Sequence, residues 1–246
     1  MVTPHGKIEL MSTILAIETS SECASVALLH DGLLKSRDIT GVTMHSQTVL
    51  PMVQMLLAEE DVALADCDAI AYGAGPGSFT GVRTACGIAQ GLGFGARLPL
   101  LPLVTLLGLA QACREQCGAD DVLAIIDARM GEVYWAQYRH DGSRWQTVTE
   151  PTLSTAAKVH AVGKPVACGN GLKAYAEDFR MHAFYLETWQ ELMPHAAQLA
   201  VLGAEALQRG EQVPAIQAEP LYLRNKVALT TRERQEKASA VAKGEA

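Results

Sequence analysis

Residues 14–32 read ILAIETSSECASVALLHDG, and residues 122–142 read VLAIIDARMGEVYWAQYRHDG. Each segment opens with an apolar run containing Leu-Ala-Ile, passes through a polar turn carrying an acid, resumes as a second apolar run and stops at His-Asp-Gly. Apolar runs of this length bounded by turn residues read as strands, and two such runs joined by a short polar turn read as a β-hairpin. Both segments lead into further strand-like and then helical sequence, so one architecture is written twice in the chain.

Outward from the first copy, LLKSRDITG (33–41) continues the meander, HSQTVLPMVQMLLAEEDV (45–62) is helical and DAIAYGAG (68–75) is an apolar strand. A glycine-rich stretch then opens a second helix, LPLLPLV (98–104) is a buried strand, and TLLGLAQACREQCG (105–118) is a third helix stopped by Gly118. In the second copy KPVACGNG (164–171) is a strand running into a turn. PHAAQLAVLGAEALQRG (194–210) is an amphipathic helix started by Pro194 and stopped by Gly210, with the reach to cross back to the first half. A meander followed by alternating helix and strand predicts a mixed sheet with helices packed on it. The expectation is an α/β protein of two duplicated lobes, 11–118 and 119–229. Residues 1–10, upstream of Met11 and the first strand, read as an N-terminal extension, and 230–246, TTRERQEKASAVAKGEA, as a disordered tail without apolar periodicity.

With 246 residues, 49% hydrophobic and 19% charged, the chain can bury a sizeable core. The formal net charge of −7 gives no global basic field, so contact with nucleic acid would depend on a partner or on a local patch, of which Arg224 and Lys226 are the candidate. The six cysteines, Cys23, Cys67, Cys86, Cys113, Cys117 and Cys168, contain no C-x-x-C pair and read as reduced thiols of a cytoplasmic protein. The first residues lack the apolar core of a signal peptide, and no run of about eighteen apolar residues suits a membrane helix.

The stretch GAGPGSFTGVRTACGIAQGLGFG (73–95) invites a nucleotide reading that its details refuse. A P-loop needs lysine and a hydroxyl residue directly after its last glycine, and Gly81 is followed by Val82 and Arg83. A dinucleotide fingerprint fails at Ser78 or at Thr80, depending on where it starts. No cofactor is therefore expected, and Ser78 reads as a helix N-cap and not as a nucleophile. Gly87, Gly91 and Gly95 recur every fourth residue and so share one helix face, with Ala85, Ala89 and Ala96 beside them. Each interior glycine costs roughly 1 kcal/mol relative to alanine, about 3 kcal/mol in all, which a closely packed neighbour must offset. That neighbour is either the protein's own sheet or a partner. The helix from His45 carries Val49, Leu50, Met52, Val53, Met55, Leu56 and Leu57 around more than half its circumference, more than one sheet can bury. Together the two helices suggest a helix-to-helix protein interface.

Signals for chemistry are sparse. A metal-binding helix opened by His45 would want a second histidine at position 49, which is Val49. His30, His140, His160, His182 and His195 have no mates at helical spacing and read as solvated or capping residues. Glu18 and Asp127 end corresponding strands, where an acid can hold a metal-bound phosphate or simply cap a turn, and the turn reading is preferred. Arg129 and Glu132 pair with each other or with a partner.

The segments ILAIETS (14–20), HSQTVLPMV (45–53), AYGAGPGSFTGVRTACGIAQGL (71–92), IDARMGEVYWAQY (126–138) and PLYLRN (220–225) resemble the TsaB (YeaZ) family of bacterial tRNA threonylcarbamoyladenosine synthesis, from Met11 to about residue 229. The resemblance implies the actin-like ATPase (ASKHA, ribonuclease H-like) fold in two duplicated lobes. It also implies a non-catalytic subunit that dimerises with TsaD and is required for threonylcarbamoyl transfer to N6 of adenosine 37 in tRNAs reading ANN codons. TsaE with ATP would join through the TsaB-TsaD complex, tRNA would be met only within that complex, and the chain alone could form a homodimer. TsaD-like relatives carry H-x-x-x-H metal ligands where this chain has His45 and Val49. The family contact uses the first two helices, here 45–60 and 79–96, so the candidate interface residues are His45, Val49, Met52, Val53, Leu56, Ala85, Gly87, Ile88, Gly91, Leu92 and Gly95. Rival classes are an M22-type metallopeptidase-like enzyme and an ATP-binding kinase-like domain.

Overall fold

The computed structural model describes residues 12–41, 45–186 and 188–224; the expected N-terminal extension and the tail lie outside them. The first sheet contains β1 (Ile14–Glu18), β2 (Cys23–His30), β3 (Leu33–Thr40), β4 (Ala69–Gly75) and β5 (Leu100–Val104) in the order β3-β2-β1-β4-β5. β1, β2 and β3 form an antiparallel meander, β4 runs parallel to β1, and β5 runs parallel to β4. The second sheet contains β6 (Asp121–Arg129), β7 (Glu132–His140), β8 (Trp145–Thr155), β9 (Val166–Cys168) and β10 (Thr188–Trp189), and its order β8-β7-β6-β9-β10 repeats the first with the same strand directions. The duplication read in the sequence is thus a duplication of topology.

At β1 and β4 both faces of the first sheet are buried, which is why these strands read as apolar runs. Leu15, Ile17, Val26, Leu28, Ile70 and Tyr72 face α1 (His45–Glu59) and α2 (Phe79–Ala96). On the other face Ile14, Ala16, Ala27, Ala71 and Leu101 pack against Leu199, Ala200 and Ala204 of α6 (Ala196–Gln208). α3 (Thr105–Cys117), which follows the first sheet in the chain, packs on the second, with Leu106, Leu109, Ala110 and Cys113 against Val122, Ala124 and Ile126. The third helix of each copy therefore covers the sheet of the other copy. The far face of the second sheet has only short elements: a 3-10 turn at Ala156–Lys158, α4 (Gly171–Ala174) and α5 (Ala176–Phe179), which with Phe184 cover Leu123, Ile125 and Trp135.

Local chemistry sets the helix ends. The Ser78 hydroxyl accepts a hydrogen bond from the Gly81 N–H and caps α2, as expected. Gly118, at φ 73°, closes α3 by donating its N–H to the Arg114 carbonyl oxygen. α6 is capped by the His195 side chain, which accepts from the Ala197 N–H, so the helix begins at Ala196, two residues after the Pro194 start expected for it. Among the described residues no helix is long and apolar enough to cross a membrane.

Candidate partner surface and inter-lobe cleft

The glycines of α2 sort into two groups by what a side chain would meet. A Cβ on Gly81 would overlap the Thr19 carbonyl oxygen, and one on Gly93 would lie 2.7 Å from the Leu100 Cδ2. These two glycines let the helix lie against the first sheet and its β1–β2 turn. Gly87, Gly91 and Gly95 point the other way, and a Cβ on any of them would meet nothing within 4 Å. The alternative in which this strip packs on the protein's own sheet is thereby removed. Beside the strip Phe94 is 82% exposed, and α1, which packs next to α2 on the same face of the sheet, leaves Leu50 and Met55 exposed.

Several residues proposed for an interface from the sequence are used inside the lobe. Val49, Val53, Leu56 and Ala85 are buried in the core against the first sheet. A helix on a sheet turns inward the residues spaced three and four apart, here Val49, Val53, Leu56 and Leu57, and what remains outside is Leu50 and Met55. Met52, Ile88 and Leu92 are half-buried at the edge of the same cluster, and His45 is half-exposed. Phe94 was missed by the sequence reading although its place between Gly93 and Gly95, three residues after Gly91, puts it beside the strip.

Between the lobes lies a cleft of about 400 Å³ lined by Ser20, Ser78, Phe79, Asp127, Arg129 and Tyr222, among others. The glycines leading into α2 allow the β1–β2 turn to sit close to this cleft. The Glu18 carboxylate occupies the space that a Cβ on Gly73 would need, and a Cβ on Gly77 would lie 2.6 Å from the Ser20 Cβ. Glu18 is fully buried; its Oε1 accepts from the Ser20 N–H at 2.5 Å, while its Oε2, the Ser20 Oγ and the Thr105 Oγ1 find no partner among the described residues. Burial pushes the Glu18 carboxyl above the ordinary glutamate range, against the hydrogen bond from the Ser20 N–H that pulls the other way.

Asp127 differs. Its Oδ1 accepts from the Arg129 N–H at 2.7 Å and from the Tyr175 hydroxyl at 3.1 Å, as a turn carboxylate does, and its Oδ2 faces the Arg129 guanidinium at 3.2 Å. In register with the Leu-Ala-Ile repeat, Glu18 corresponds to Ile126, so Asp127 is one position later and the pleat turns the two acids to opposite sheet faces. They do not converge. Arg129 pairs with Glu22 of the other lobe at 2.8 Å, and Glu132 with Arg224, in place of the Arg129–Glu132 pair considered from the sequence. Arg224 is thus engaged within the chain, and Lys226 lies outside the described residues. Among the described residues no three His, Cys, Asp or Glu side chains are grouped to hold a metal ion.

Residues 41–231 match the family model described as TsaD: tRNA N6-adenosine threonylcarbamoyltransferase. The chain is 41% identical over 221 residues to the tRNA threonylcarbamoyladenosine biosynthesis protein TsaB of Escherichia coli K12, covering 87% of this chain and 96% of that relative. It is 36% identical over 226 residues to TsaB of Haemophilus influenzae, covering 87% and 94%. Two solved structures from Pseudomonas aeruginosa superpose on it over 87% of this chain and 100% of theirs. One is YeaZ, at a TM-score of 0.80 and 41% identity. The other is a protein described as similar to peptidase YEAZ, at 0.81 and 43%. With matches of this extent in both sequence and fold, the chain belongs to the TsaB (YeaZ) family of tRNA threonylcarbamoyladenosine biosynthesis proteins.

Proposed function

We propose that the chain is a non-catalytic subunit that pairs through α1 and α2 with a TsaD-type transferase and is required for threonylcarbamoyl transfer to N6 of adenosine 37 in tRNA. The observation that carries this reading is the outward glycine strip. Glycine in a helix costs roughly 1 kcal/mol per residue, and among the described residues nothing lies against Gly87, Gly91 or Gly95 to offset it. A second helix crossing there would approach backbone to backbone, with Leu50, Met55 and Phe94 as flanking apolar contacts. The chemistry belongs to the partner: the position where a second metal-binding histidine would stand is Val49, buried on the inner side of α1 against the first sheet. tRNA is met only within the complex, in keeping with the net charge of −7, and TsaE with ATP joins through the assembled pair in the cytoplasm. Without TsaD the same face pairs two copies of this chain.

The test is co-purification with a TsaD-type protein and a reconstituted tRNA modification assay with and without this chain. Modification should require both proteins. Full modification by the TsaD-type protein alone, or by this chain alone, would overturn the reading.

A further inference from the structure

α3 ends on two cysteines one turn apart, with a third beside them. Cys113 is fully buried, Cys117 is the last residue of α3 and exposed, and Cys168 on β9 is fully buried in the same cluster as Cys113. The Sγ atoms of Cys113 and Cys117 are 3.9 Å apart, and the Cys117 thiol donates to the Cys113 carbonyl oxygen at 3.1 Å. The Cys168 thiol points at the Leu109 carbonyl oxygen, one turn earlier on α3, at 3.8 Å. An exposed thiol thus leads to a buried one within a single helical turn.

We propose that Cys113 and Cys117 form a reversible redox pair, oxidised by hydroperoxides to a disulfide at the end of α3. In the first step the Cys117 thiolate attacks the peroxide O–O bond. A sulfur–oxygen bond forms, the peroxide bond breaks, and the departing alkoxide or hydroxide takes a proton. In the second step the Cys113 thiolate attacks the Cys117 sulfur, the S–S bond forms and hydroxide leaves to become water. Two thiols and one hydroperoxide give one disulfide, one water and one alcohol, or a second water when the oxidant is hydrogen peroxide. The 3.9 Å separation of the two sulfurs places Cys113 as the attacking sulfur once Cys117 is oxidised. Burial pushes the Cys117 thiol up, so the first step quickens as pH rises.

Helix geometry decides what this pairing does. Residues four apart on a regular helix hold their Cβ atoms about 5–6 Å apart, whereas a disulfide needs roughly 3.5–4.5 Å. The bond therefore cannot form inside an intact turn. It can form where the helix ends, and Cys117 is followed by Gly118 at φ 73°. Closing the bond opens the last turn, which is held by the Gly118 N–H to Arg114 carbonyl bond of 2.7 Å and by the exposed Arg114–Asp120 ion pair. A bond made at that cost is readily reduced again, as suits a regulatory rather than a structural disulfide. Its effect falls on residues 118–120, which carry the chain from α3 into β6.

The experiment treats the reduced full-length chain with hydrogen peroxide, blocks remaining thiols with N-ethylmaleimide under denaturing conditions and maps tryptic peptides by mass spectrometry. Arg114 stands between the two cysteines, so trypsin separates them unless a disulfide holds the pieces together. The expected result is a linked pair of peptides spanning 98–114 and 115–129, released by dithiothreitol and formed equally in Cys168→Ser. In Cys113→Ser the linked pair should vanish and Cys117 should run on to sulfinic acid. The wild-type map needs no variant to fold and decides by itself. Cys117 oxidised while Cys113 stays alkylated, or a linkage from Cys113 to Cys168, would overturn the proposal.

Discussion

The two lobes share a strand order and differ in what lies between the strands. In the first lobe β3 reaches β4 through fifteen-residue α1, and β4 reaches β5 through eighteen-residue α2. In the second lobe the corresponding connections hold a three-residue 3-10 turn, two four-residue helices and a four-residue 3-10 turn at Ala183–Leu186. The third helix is thirteen residues long in both. Covering the sheet does not explain the difference, because the short elements of the second lobe bury Leu123, Ile125 and Trp135 completely or nearly so. The third helices persist because each closes the other lobe's sheet. The long first and second helices persist only where they have an outer side, and that side is the one with bare glycines and exposed Leu50, Met55 and Phe94.

The contrast can be broken or sharpened by substitutions of graded effect. The largest belongs to the inward glycines, which should behave alike in the two lobes. Gly81→Ala drives a methyl into the Thr19 carbonyl and Gly169→Ala drives one into the Ile125 carbonyl. Each should cost about 3 kcal/mol and lower the melting temperature by on the order of 10 °C. A silent Gly169→Ala would mean that the second lobe is packed more loosely than the first.

Next comes Gly91→Leu on the outer side. Nothing among the described residues opposes the new side chain, so melting temperature should hold within about 2 °C, while association with a TsaD-type protein, or with a second copy, weakens at least about tenfold, ~1.4 kcal/mol. Sedimentation and thermal melting of the same variant read both. A destabilised monomer would return the strip to the interior.

Glu18 separates the lobes in another way, since its counterpart Ile126 cannot ionise. With a folded-state pKa above the unfolded value of 4.5, the folded chain binds the extra proton between those two values. Stability from this group is complete below 4.5 and is lost as pH rises through the folded pKa. Glu18→Gln should flatten that decline in urea midpoints followed from acid to neutral pH, and an unchanged slope would show that Glu18 is ionised in the folded protein. The smallest effect is expected from Gly87→Ala and Gly95→Ala. They should stabilise the isolated chain by about 0.5–1 kcal/mol each through helix propensity alone, visible as a small rise in melting temperature.

The hairpins, the strand alternation and the spacing of the glycine strip were legible in the sequence, because periodicity of two or of about four residues survives without tertiary context. The direction of the strip was not. Gly81 and Gly93 lie on the same helix as Gly87, Gly91 and Gly95, and only the approach of Thr19 and Leu100 tells inward from outward. The one-position offset between Glu18 and Asp127 was legible in principle from the aligned Leu-Ala-Ile runs, yet its meaning depends on which face the pleat presents to which helix. α4, α5 and β9 carry too few residues for any period to show. That 105–118 forms a helix was legible in the sequence, but which sheet would bury it was not.

The exchange of third helices also sets an order of events during synthesis. When the ribosome has finished β5 at Val104, the strands of the first sheet exist, but the face formed by Ile14, Ala16, Ala71 and Leu101 has no cover. The helix that closes it begins at Ala196, roughly 90 residues later, a wait on the order of 5–20 s at bacterial and eukaryotic elongation rates. For that interval the nascent chain presents an apolar sheet face to the surrounding medium, the kind of surface on which holding chaperones act.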